Sequence, residues 1–156
     1  MARSQGDLVA FLLLAALNES DTNKFSNLAK QYVAERKNFF SLVSPDDRKY
    51  FEFQLWQEGI ARYTQIKVAE AAIKYRPSAE FVALPDYTPF SELGGKARAD
   101  TLRELQDVDL AKWKRVVVYS FGGAQGLLLD RLYPEWKEEY FKHPLSTDAL
   151  FDSVTH

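Results

Sequence analysis

The chain has 156 residues, enough for one domain whose core needs no disulfide or metal staple. It has no cysteine, which excludes thiolate chemistry and Cys-ligated zinc, and only two histidines, His143 and His156. A net charge of −2 with both signs interspersed and no basic block offers no footing for nucleic acid or an anionic membrane surface.

Leu8 to Leu17 is an apolar run about as long as a signal-peptide core. Asp7 precedes it, Arg3 is the lone positive charge before it, and no small-x-small cleavage site follows. It is also too short to span a bilayer. The run reads as a buried first helix over Gly6 to Leu17, and the chain as soluble, with no compartment indicated. Asn18 to Asn23 is a polar turn. A second helix spans about Lys24 to Val43, carrying Leu28, Tyr32, Val33, Phe39, Phe40 and Leu42.

Ser44-Pro45-Asp46-Asp47 is a helix start, with Ser44 as N-cap, proline at the first helical position and acids in the first turn. The helix it opens should run from about Pro45 to Lys74, ending before Pro77. Wound at roughly 100° per residue, it gathers Glu52, Lys67, Glu70 and Lys74 on one side. Phe51, Leu55, Ile66, Ala69 and Ile73 gather on another, and Glu58 and Arg62 fall inside that apolar stripe. Two charges on a buried face call for an explanation, because an unpaired buried charge costs several kcal/mol or more. One is an ion pair between them, four residues apart with the acid first. The other is a further partner for Glu58, above all a metal ion. Gly59, which costs about 1 kcal/mol against alanine inside a helix, marks a place where another backbone presses close.

Arg76 to Gly95 holds Pro77, Pro85, Pro89, Gly94 and Gly95 among Phe81, Tyr87 and Phe90, without helical periodicity. It reads as a packed irregular loop able to wall a cleft, with room for a short strand at Phe81 to Leu84. Lys96 to Gln106 is helical. In the run from Asp109 to Leu132, Val116 to Phe121 suits either a buried strand or part of one buried helix. The helical surroundings favour the helix, since a lone strand has nothing to pair with. Gly122, Gly123 and Gly126 then form a seam for close helix contact. Val118 to Gly123 has the outline of a serine-hydrolase elbow around Ser120, but Val118 stands where the strained turn requires a small residue. Pro134 opens a short helix through Phe141. His143 lies in a loop, and Ser146 caps a last helix near Leu150.

Two segments resemble the C-terminal half of the catalytic domain of gluzincin-type zinc metallopeptidases. Trp56-Gln57-Glu58-Gly59-Ile60-Ala61-Arg62-Tyr63 is similar to the E-G-x-A-x-Y helix that supplies the third zinc ligand. Tyr119 to Leu132, followed by Pro134 to Tyr140, resembles a downstream region of bacterial proteins of that kind. The resemblance implies Glu58 as third ligand, Arg62 orienting its carboxylate, and Tyr119 or Tyr63 as the phenol that stabilises an oxyanion. The sequence departs from the pattern at its centre, because it has no HExxH.

The expectation is therefore an all-α single domain over residues 1–156, a bundle of six to seven helices around the long Pro45 to Lys74 helix. Its first functional reading is a metallopeptidase-like domain, inactive as a lone chain. That reading makes it a fragment or a non-catalytic relative, with no cofactor of its own. Zinc enters only if the missing HExxH segment is present, and the partners this reading allows are the missing N-terminal part of the same protein or a second copy of the chain. The alternative is a non-enzymatic binding or scaffold domain with a structural Glu58–Arg62 pair and a partner surface on the Phe81 to Phe90 loop. A serine hydrolase using Ser120 is a distant third.

Overall fold

The computed structural model describes residues 4–152, and among them every regular element is helical. The chain forms α1 (Gln5–Asn18), α2 (Thr22–Ser41) and α3 (Pro45–Gln54). A π-turn (Leu55–Gly59) leads into α4 (Ile60–Ala72). Then come α5 (Ala79–Val82), α6 (Phe90–Gln106), α7 (Leu110–Trp113) and a 3₁₀ turn (Lys114–Val116). The last three helices are α8 (Val117–Leu132), α9 (Trp136–Lys142) and α10 (Asp148–Asp152).

Helix starts follow local chemistry. The Ser4 hydroxyl accepts from the Asp7 N–H while the Asp7 carboxylate takes the Ser4 N–H, a reciprocal capping box. Asp21 caps α2 through the Lys24 N–H. Ser44 accepts from the Asp47 N–H with Pro45 at the first helical position, as its sequence demands.

The helix at the centre is α8, and not the Pro45 to Lys74 helix. Twelve of its sixteen residues are buried, and it packs against α1, α4, α6 and the π-turn. Its glycines explain how closely. A methyl group added to Gly59 would stand 2.6 Å from the Gly122 Cα and 3.1 Å from the Val118 carbonyl oxygen. The two backbones therefore touch, which only paired glycines allow. One turn on, the Tyr63 ring covers Gly126. Around this crossing lie Leu13, Tyr32, Leu55, Ile66, Leu105, Leu128 and Leu150, all 1% exposed or less.

The expected single helix over Pro45 to Lys74 is interrupted by the π-turn. A π-turn carries one extra residue, which rotates the preceding helix by about 100° relative to the succeeding one. The stripe predicted from a straight helix is therefore out of phase, and Glu52, expected on the polar side, is 3% exposed. The suggested strand at Phe81 to Leu84 is instead the helical turn of α5, capped by Ser78. Likewise α6 begins at Phe90 rather than Lys96.

Candidate functional site

A cleft of about 1100 Å³ runs between α4 and α9. Along the π-turn and α4 it is lined by Gln57, Ile60, Ala61, Thr64, Lys67, Val68 and Ala71, of which only Ile60 also belongs to the core. Pro134, Tyr140 and Phe141 form the opposite wall. Val68 is 62% exposed and Phe141 79%, so the cleft presents apolar surface to solvent.

Asp130, near the end of α8, forms the polar foot of this cleft. Its Oδ1 accepts from the Tyr63 hydroxyl at 2.8 Å, the Trp136 indole at 3.1 Å and the Lys137 ammonium at 2.9 Å. Its Oδ2 faces Lys67 Nζ at 3.2 Å. Burial pushes the Asp130 carboxyl up, but hydrogen bonds from Lys137, Trp136, Tyr63 and Lys67 outweigh it and hold the group below the usual carboxylate range. Burial raises the Tyr63 phenol, so it stays a neutral donor. Two ammonium groups thus converge on one carboxylate. Lys137 also lies 5.0 Å from the Trp136 ring centroid. Trp56 and Tyr140 stack beside it at 5.1 Å, and the Tyr140 hydroxyl donates to the Trp56 carbonyl at 2.9 Å.

A second polar cluster is centred on the buried Arg36 and Glu52, with Asp148 and Arg48 at its solvent edge. Arg36, on α2, is 2% exposed. It donates to Glu52 and Thr147 through Nη2 and to Asp148 through Nη1. The remaining Glu52 oxygen accepts from the Thr147 N–H at 2.7 Å, the Thr147 hydroxyl at 2.9 Å and Ser146 at 3.1 Å. Arg48 closes the outer side on Asp148 at 2.5 Å. The Phe40 and Phe151 rings sandwich the guanidinium, each centroid 4.8 Å away. This clamp fastens the C-terminal α10 to α2 and α3.

The residues singled out from sequence are divided. Tyr63 belongs to the Asp130 cluster. Glu58 is half-buried on the π-turn, does not line the large cleft and forms no ion pair with Arg62. The wider π-turn takes residues four apart out of line, so the spacing that favours such a pair in an α-helix no longer applies. Arg62 instead faces Glu104 at 3.9 Å and lies 5.8 Å from the Tyr119 ring centroid. Ser120 is 1% exposed in the middle of α8 and donates to the Val117 carbonyl, so there is no strand-to-helix elbow around it. His143 is half-exposed, 3.5 Å from Glu139, and His156 lies outside the described residues. The Phe81, Tyr87 and Phe90 rings pack on one another at the surface and do not wall the large cleft. Among the described residues no three His, Asp or Glu side chains are grouped to hold a metal ion, and no helix is long and apolar enough to cross a membrane.

The pairings of Asp130 with Lys137 and of Arg36 with Glu52 were not read from the sequence, which placed Glu52 on the polar side of its helix. A signal for the first pair exists in Asp130-x₅-Trp136-Lys137, where two donors follow a helix-terminal acid. No local signal pairs Arg36 with Glu52, because the partners come from separate helices. No family model matches the chain, and no curated protein or solved structure is similar to it.

Proposed function

We propose that this chain is a non-enzymatic binding domain whose α4–α9 cleft receives an amphipathic helix carrying an acidic side chain. The observation that supports it is the meeting of two ammonium groups, Lys67 and Lys137, on Asp130 at the foot of an otherwise apolar, exposed cleft, Lys67 also lying 3.7 Å from Glu70. An incoming carboxylate has an ammonium group to meet there, while Val68 and Phe141 take apolar side chains. The α4 stripe from Ile60 to Ala71 is about 16 Å long at 1.5 Å per residue, the length of about three helical turns. That length suits helix-in-groove recognition better than capture of a compact small molecule.

The test is a panel of amphipathic helical peptides, each made with one acidic residue beside the apolar stripe and again with lysine in its place. Amide shifts in the protein's NMR spectrum locate binding. The acidic peptides should shift α4 and α9, the lysine versions should bind at least tenfold more weakly, and Val68→Asp should abolish both. Shifts confined to other faces, or no preference for the acid, would refute the proposal. Equal occupancy by a single-chain fatty acid such as laurate would reassign the cleft to a small amphiphile.

The metallopeptidase-like reading stands as a second proposal. The run from Glu58 to Tyr63 supports it, with a half-buried Glu58 carboxylate that forms no ion pair among the described residues. Glu58 is a single donor, so these residues alone do not build a zinc site. The reading needs an HExxH segment from an N-terminal part of the same protein, since a second copy of a chain without the motif cannot supply it. Sequencing the coding region upstream of the Met1 codon tests it: an in-frame HExxH supports the third-ligand role, and a stop codon directly upstream removes it.

A further inference from the structure

Two polar atoms in the core have no hydrogen-bond partner among the described residues and belong to residues that line one small space. They are Arg36 Nε and Gln125 Oε1, on side chains only 2% exposed. Both residues line an internal space of about 20 Å³ whose other walls include Val9, Phe40, Leu55 and Phe121. Roughly 10–15 Å³ is enough for the centre of one water molecule, and a buried water needs at least two polar partners. An Nε–H is an obligate donor and a carbonyl oxygen an acceptor, so the pair supplies both kinds. Leaving both unmade in an apolar pocket is unfavourable, and native cores rarely do so.

We infer that a single structural water occupies this space, accepting from Arg36 Nε and donating to the Gln125 amide oxygen. The assignment survives a flip of the amide. With the groups exchanged, the amide nitrogen and Nε–H are two donors, which the lone pairs of one water bridge. The Gln125 nitrogen as placed donates to the Tyr32 hydroxyl at 2.7 Å. The water therefore completes a buried polar chain from Tyr32 through Gln125 to Arg36, and on to Glu52 and Asp148. Its effect is to add a connection between the central α8 and the clamp that holds α10, beside the one that runs through Tyr32, whose ring also packs on Phe151.

A high-resolution crystal structure of the full chain is the first test. Solvent density within hydrogen-bond distance of both Arg36 Nε and the Gln125 amide is the expected result. Nε bonded directly to a protein oxygen, or the space closed by repacked side chains, would overturn the inference. In solution, water-oxygen relaxation dispersion counts long-lived internal waters. Gln125→Met, which fills the space without a polar end, should show one fewer than the unaltered chain, and an unchanged count would overturn the assignment. Should that variant fail to fold, the crystal density of the unaltered chain decides alone.

Discussion

Removing the Glu52 carboxylate is the sharpest test of which acid in this chain is structural. Glu52 is 3% exposed, and its two oxygens serve Arg36, Ser146 and both polar groups of Thr147. In Glu52→Ala the Arg36 guanidinium keeps Asp148 and Thr147 but loses its buried counter-charge, and the Thr147 N–H loses its acceptor. Breaking a buried pair from one side costs about 3–5 kcal/mol, since an uncompensated charge stays behind. For a chain of this size each 1 kcal/mol lowers Tm by about 2–4 °C, so the variant should melt about 10 °C lower. Urea unfolding followed by circular dichroism measures the loss, and the denaturant slope should stay unchanged if the fold is intact. Glu58→Ala is the control. Half-buried and, among the described residues, outside any ion pair, Glu58 should cost under about 1 kcal/mol. The double change Glu52→Leu with Arg36→Met should recover most of the loss, because well-packed apolar residues often replace a buried ion pair without penalty. A Glu52→Ala loss below about 1 kcal/mol, or one equal to that of Glu58→Ala, would refute the clamp.

The helix crossing makes a second prediction. Gly59→Ala and Gly122→Ala each drive a methyl group into facing backbone and should destabilise by about 1–3 kcal/mol or more. Gly95→Ala, on α6 with nothing near its added methyl, should stabilise by about 0.5–1 kcal/mol; thermal melts that rank Gly95→Ala with the other two would contradict the backbone contact. Acid sensitivity gives a third. Burial raises the Asp148 carboxyl, but Arg36 and Arg48 outweigh it and hold the group low, and the Arg98 hydrogen bond lowers Glu70 as well. Because these folded-state values lie below the unfolded ones, their stabilisation is complete above about pH 4 and lost as pH falls through the folded values. Asp148→Asn should be less stable than the unaltered chain near neutral pH and should show a shallower loss below about pH 4. Parallel pH–stability curves would remove Asp148 as a source of that dependence.

What the sequence determined by itself is what depends on neighbouring residues. Ser44 and Pro45 set the start of α3 because a cap needs only a side-chain oxygen within reach of the next turn's N–H groups. The all-helical class came from periodicity, and the seam at Gly122, Gly123 and Gly126 from the absence of side chains on one helical face. The close approach at Gly59 was legible for the same reason, although its partner was not. Tertiary structure decided the rest. A single extra residue in the Leu55–Gly59 turn rotated α3 against α4 and moved the buried acid from Glu58 to Glu52, since no pattern of residues announces a shift in helical phase. Arg36, Glu52 and Asp148 meet across 112 positions of sequence, and Tyr63 meets Asp130 across 67. Those sites exist because packing α8 through the middle of the bundle brought the charges within reach, and burial then made each partner necessary.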